Sequence, residues 1–342
     1  MGEKINYKRK RTWSENRYVL YRVVIIGTIV AFISGAFLVL FVLYKDQFGL
    51  LSKAVAEYDN AKGSTGSSNN LISSIGNNAS LIITFLGVVL LIITLISQTT
   101  NAHKNGFKAS FFEFLKLHRS NVEQMKTKGK SGHDAFIAMY QELMEIIPLV
   151  ENEKLPLRSP KQVYAVAYLA FFWGVGPSSS VILKDSLKNN YKMPEENLNQ
   201  LIHNLEGYKN KRDKEIENQS GIGTKEKKNL QCLLDGHQSD LGHYFRHLYQ
   251  TVTFISNERS LWYFEKYEYG KTLRAQFSNH ELAIFLFNAN SPLGKNWETE
   301  KSSYKRKLIS YYALIKNVPP SLVNQLKIRE SFPSIEFEFD EQ

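Results

Sequence analysis

His243, Arg246 and His247 lie within one helical turn and a half of each other, and the two histidines are four residues apart. On a helix that spacing puts both imidazoles on one face, and the wheel sets that face opposite the apolar stripe of Leu241, Phe245, Leu248 and Val252. Two imidazoles so placed are half of a metal site. No Glu-x-x-His partner or Cys/His cluster completes it, and Asp240 reaches only the edge of the face, so neither a metal nor a cofactor is expected. The face reads as a surface for an acidic or phosphate-bearing partner, with Arg246 making the charge-assisted contact, set against a plain solvated face. A second pair, Arg274 and His280, is separated by five residues. There a histidine could move a proton while the arginine holds a phosphate. Ser278-x-x-Glu281 is at the same time a helix capping box, which accounts for that neighbourhood without catalysis. His118-Arg119 reads as a basic pair compensating a helix C-terminus. Residues 176–180 (GPSSS) lack the frame of a nucleophile elbow and read as a turn. The chain has no Gly-rich phosphate loop, no Ser-His-Asp set and no Cys-x-x-Cys pair.

The elements that must position these residues are helices. Apolar residues recur at three- and four-residue steps through 107–122 (Phe107, Phe111, Leu115, Val122), 133–147, 194–208 and 240–255. Residues 126–132 (KTKGKSG) break the first of these runs. Residues 163–175 (VYAVAYLAFFWGV) are apolar but too short to cross a bilayer, and are expected as a buried core helix ending at the glycines. The charge-dense stretch 209–228 reads as an exposed hairpin or loop. Ile335, Phe337 and Phe339 alternate with acids, as in a half-buried edge strand or an extended tail.

The first hundred residues have a different composition. Residues 23–44 form a run of 22 residues without a charge, long enough for a hydrocarbon core of roughly 30 Å. A second uncharged run is densest at 81–97 and is taken to start at 71, with Asn77, Asn78 and Ser80 at its polar front end. The fold class expected is therefore an all-α membrane protein. Its divisions are a basic N-terminus (1–22), a first transmembrane helix (23–44), an extracytoplasmic loop (45–70), a second transmembrane helix (71–97) and a helical cytoplasmic domain (98–342). Seven basic residues against two acidic ones precede the first run, three balance three in 45–80, and Lys104, Lys108, Lys116 and Arg119 follow the second. Basic flanks stay inside, which puts both termini in the cytoplasm. A single cysteine, Cys232, excludes an internal disulfide and fits a reducing compartment. Half of the net charge of +10 lies before the first span, and the remainder demands no nucleic acid. Gly27, Ala31 and Gly35 repeat every four residues in the first span, a row of small residues that lets helix backbones approach.

The order of span, polar loop, second span ending in Ser97-Gln98 and then residues 111–122 (FFEFLKLHRSNV) resembles the phage abortive infection family named for lactococcal AbiC. Residues 242–249 (GHYFRHLY), 273–287 (LRAQFSNHELAIFLF) and 311–318 (YYALIKNV) support the resemblance, which extends over roughly 71–318. It implies a bacterial anti-phage protein of the inner membrane that acts after phage entry, and it supplies no catalytic residues. The expected partners are the lipid bilayer, a second copy of the chain through the first span, and a phage-derived trigger or host protein. The expected role is binding or sensing with the membrane hairpin as anchor or effector. Two alternatives stand beside it. Arg274 and His280 match the arginine–histidine spacing of HEPN-type ribonucleases, and the chain could equally be a non-catalytic scaffold.

Overall fold

The computed structural model describes residues 66–219, 233–299 and 307–340, together with Gly27, Gly35, Gly49, Leu50 and Lys53. The chain divides into two compact units, Met1–Phe107 with Arg259–Trp262, and Lys108–Glu258 with Tyr263–Gln342.

In the first unit the expected first span falls outside the described residues except for Gly27 and Gly35, and Ala31 is among those not described. Both glycines are helical and exposed, and a Cβ added to either meets no atom within 4 Å. The second span and the apolar run at 107–122 belong to one continuous helix, α1, Gly66–Gln124, of 59 residues. It starts inside the segment read as a loop and does not stop at 97, because no proline interrupts it and the apolar periodicity continues beyond. Among the described residues one helix is long and apolar enough to cross a membrane, where two spans were expected. Ile83, Leu90, Leu91, Ile93 and Ile96 are all exposed, so apolar residues face outward over most of the circumference. The hydroxyls of Thr94 and Thr100 donate to the carbonyls of Leu90 and Ile96 at 2.8 Å, so the helix satisfies these side chains itself.

The second unit is helical around a three-helix centre. A two-residue antiparallel ribbon, β1 (Lys126–Thr127) with β2 (Lys130–Ser131), sets Lys126 opposite Ser131 and is the break expected at 126–132. The helices that follow are α2 (His133–Asn152), α3 (Pro160–Trp173), α4 (Ser179–Tyr191), α5 (Glu195–Gln219), α6 (Gln238–Asn257), α7 (Tyr263–Arg274) and α8 (Asn279–Asn290). Short helices at Leu308–Tyr312 (α9), Pro320–Val323 and Ile328–Ser331 close the chain. α2, α3 and α8 pack on one another. Ala165 through Phe172 of α3 and Glu281 through Asn288 of α8 are buried on every side, so the apolar run at 163–175 is a core helix, as expected.

Three expectations are corrected. The charged stretch after Lys209 continues as helix α5 to Gln219, since Lys, Arg and Glu are good helix formers and no breaker precedes Gly221. Ser179–Tyr191 and Tyr263–Arg274 are helices that the apolar pattern does not announce. The first buries only Leu183 and Leu187, and the second carries a glycine in its middle. Residues 335–337 have no regular structure and lead into a 3-10 segment, Glu338–Asp340, with Ile335 and Phe337 buried. No strand is placed to pair with them among the described residues.

Two contacts fix where α6 begins. Gly174 ends α3 at φ +75° and faces Gly236 at φ +85°. A Cβ on Gly236 would stand 2.4 Å from the Trp173 carbonyl oxygen, so the two backbones meet only because both residues are glycine. Val175 N donates to Leu234 O at 2.8 Å and His237 N to Phe172 O at 2.9 Å. Beneath them lies Glu142 of α2, buried. Its Oε2 accepts from Lys128 Nζ at 2.6 Å and His237 Nε2 at 3.2 Å, and its Oε1 accepts from Leu234 N at 3.0 Å.

Burial alone would raise the Glu142 carboxyl, but the hydrogen bond and charge of His237, with the charge of Lys128, hold it below its ordinary value. A depressed acid stabilises the fold above its unfolded value of 4.5, and that stability is lost as the pH falls through the folded value. Glu142→Gln keeps the shape and leaves Lys128 and His237 without their carboxylate partner. It is expected to cost about 3 kcal/mol at neutral pH and to weaken the loss of stability below pH 4.5. Thermal melts of detergent-solubilised parent and variant, taken through that range, check both.

Candidate functional site

α6 carries its buried stripe through Leu241, Tyr244, Phe245, Leu248, Val252 and Ile255, as the periodicity requires. His243 and Arg246 are exposed on the far side. His247 departs from the expected face: it is half-buried, with its ring 5.8 Å from Phe114 and 6.3 Å from His118 of α1, stacked on the latter at 20°. At 100° per residue His247 sits about 110° from the middle of the buried stripe, at its flank. It therefore turns toward α1 while its two neighbours remain in solvent.

His118 is the residue that sequence reasoning placed wrongly. It is 1% exposed, enclosed by Tyr244 and Phe277 at 5.4 Å each and by His247. The helix ends at Gln124 and not at Arg119, so no C-terminal dipole is there for it to compensate. The signal was present: His118 continues the series Phe111, Leu115, Val122 at steps of four, three and four, all buried. Arg119, on the exposed side, donates its Nε to Gln276 Oε1 at 2.8 Å.

The same seam includes the N-termini of α2 and α8. Glu281 closes the capping box expected from the sequence. Its Oε2 accepts from Ser278 N at 2.8 Å, and Ser278 Oγ accepts from Glu281 N at 3.3 Å. The buried carboxylate also accepts from the Tyr244 hydroxyl at 3.1 Å and lies 3.1 Å from His133 Nδ1. Burial and the Glu281 charge push the Tyr244 phenol far above its ordinary range, so it serves as a donor. Burial, then the charges of His247, Arg119 and His133, lower His118 to about 4. Burial and the charge of His243 lower His247. Both rings are thus neutral at physiological pH, and their buried nitrogens have no hydrogen-bond partner among the described residues.

Chemically, the arrangement offers two neutral imidazoles between α1 and α6, with Arg119 and Arg246 exposed on those two helices. Among the described residues no three His, Cys, Asp or Glu side chains gather as ligands. Arg274 and His280 are drawn to different partners. Arg274 ends α7, buried, and its Nη1 donates to the Ala313 carbonyl at 2.8 Å, where the chain turns at φ +48°. His280 meets Tyr140 edge-on at 5.3 Å. Neither a hydrogen bond nor an ion pair joins them, and Arg274 is occupied in tying α7 to the end of α9.

Residues 236–322 match the family described as "Putative phage abortive infection protein". The match begins at the glycine that meets α3 and covers α6, α7 and α8, with His243, Arg246, His247 and Glu281 inside it. It is narrower than the resemblance read over 71–318 and leaves α1 outside. No curated protein and no solved structure matches the chain.

The pH behaviour of His118 is distinct from that of Glu142. Between its folded value of about 4 and its unfolded value of 6.5, the unfolded chain binds a proton that the folded chain refuses. Stability therefore falls as the pH drops through that window, by up to about 3 kcal/mol. His118→Phe, an aromatic among aromatics, should remove this loss and melt higher than the parent midway through the window, leaving the loss below 4.5 in place. A series of melts against pH reads the two windows separately.

Proposed function

We propose that this chain is a membrane-anchored phage-defence protein. In this reading two N-terminal spans hold it in a bacterial inner membrane with both termini in the cytoplasm, and its helical unit receives a phage-linked signal. The match over 236–322 supports the defence role. The observation that carries the rest is α1. One helix bears exposed apolar side chains over most of its surface between Ile83 and Ile96, and contributes Phe111, Leu115 and His118 to the core that packs against the matched segment. An apolar helix surface of that extent is stable in lipid and not in water. The excess of basic residues before position 23 and after position 97 favours the cytoplasm for both. Gly27, Ala31 and Gly35 then give the first span a packing face within the membrane.

The receiving surface in this proposal is the exposed side of α6. His243 and Arg246 stand there with no packing role, beside His247, and Arg246 suits a phosphate or carboxylate on a phage-derived or host partner. Arg246→Ala should leave stability within about 0.5 kcal/mol and reduce protection against phage in plaque assays. A variant that protects as well as the parent makes the face merely solvated. The ribonuclease alternative has its own test. On the present reading Arg274→Ala lowers the melting temperature through the lost bond to Ala313, and His280→Ala protects normally. Loss of protection in a stably folded His280→Ala would instead favour catalysis. For topology, reporter fusions at Gln342 and near Ser67 should report opposite compartments.

A further inference from the structure

Between Leu81 and Ile96 the chain has three residues that are not large and apolar, Thr84, Gly87 and Thr94. All three fall in one register. Asn77, Ser80, Thr84, Gly87, Thr94 and Gln98 follow one another in alternating steps of three and four residues, with the single gap filled by Leu91. Spacing of that kind has a period of 3.5 and marks the seam of a left-handed coiled coil. The positions off the seam, Ile83, Leu90, Ile92, Ile93, Leu95 and Ile96, are apolar and exposed. The helix thus has a polar line along a surface otherwise suited to lipid. Hydroxyls can turn back to their own helix, as Thr94 does to Leu90 O at 2.8 Å. The Gln98 amide cannot be satisfied in that way, since it carries two donors and an acceptor, and it is exposed without a hydrogen-bond partner among the described residues.

We infer that α1 pairs along this seam with α1 of a second copy of the chain, in parallel and in register. The inference rests on the membrane reading above, because copies inserted the same way can only meet in parallel, equal position to equal position. Residue types then choose the occupant. Asn77 and Gln98 are 21 positions apart, about 31 Å along a helix, which puts one amide at each edge of a core roughly 30 Å thick. An amide is both donor and acceptor, so identical amides across a symmetry axis complete each other. The chain's own first span has no amide to offer: residues 23–44 contain neither Asn nor Gln, and Thr28 and Ser34 are their hydroxyl-bearing residues apart from Tyr44. The second copy supplies what the first span lacks.

The test is oxidative cross-linking in native membranes. In a Cys232→Ser background, Leu91→Cys is on the seam, and Ile96→Cys lies about 150° away around the helix. Carbonate extraction of the same membranes reports whether the protein is embedded. Pairing along the seam gives a dimer band for Leu91→Cys, several-fold stronger than for Ile96→Cys, in carbonate-resistant membranes. Equal bands, or none, in carbonate-resistant membranes overturn the seam and leave the membrane reading intact. Protein released by carbonate yet cross-linked at Leu91→Cys keeps the seam and overturns the membrane reading. Release without cross-linking overturns both.

Discussion

The helical unit depends on one buried carboxylate. Glu142 sits in the middle of α2 with three donors around it, each from a different part of the chain: Lys128 from the ribbon after α1, Leu234 N from the segment entering α6, and His237 from the start of α6. An unpaired carboxylate at that depth would cost several kcal/mol. The ribbon, α2 and the entry to α6 must therefore be in place together for the charge to be tolerated. The glycine pair 174 and 236 adds a steric condition, since any side chain there would separate the backbones.

A second buried carboxylate completes the arrangement. Glu281 begins as a local device, the capping box of α8, and its spare acceptor capacity reaches Tyr244 in α6 and His133 at the start of α2. One carboxylate fixes where α6 starts, and the other holds its second turn against α8. With both ends of that stretch set, the rotation of α6 is no longer free. His243 and Arg246 must point outward, and His247 must lie on the flank facing α1. The exposed His243 and Arg246 owe their position to two carboxylates they do not touch.

Much of this was legible in the sequence where the cause is local. The apolar stripe of α6, the capping box at Ser278, the buried nature of 163–175 and the break at 126–132 all follow from residue order within a few turns. What escaped was set by distant partners. Nothing near Glu142 announces that Lys128 and His237 converge on it, because the three are drawn from separate elements. Arg274 looked like half of a phosphate site, and its actual partner is a carbonyl 39 positions away. His118 is the exception, a miss that periodicity could have prevented. A polar residue in register with Phe111, Leu115 and Val122 is a buried residue whatever its type, and reading it as a cap put chemistry before position.

That register makes His118 an anomaly that packing does not explain. Its cage of Tyr244, Phe277 and His247 would accept a phenylalanine, and the imidazole brings two nitrogens that find no partner while losing their water. A second imbalance lies beside it: His247 stacks on His118, and burial, with the charge of His247, lowers the affinity of His118 for a proton. Local rules broken twice at adjacent positions, at a cost to stability, mark a place where a sequence serves something other than folding. The pair joins α1, whose other end is the apolar stretch, to α6, whose exposed side carries Arg246. Hydrogen bonds do not lock these two rings, whereas Glu142 and Glu281 tie α6 to the ribbon, α2 and α8.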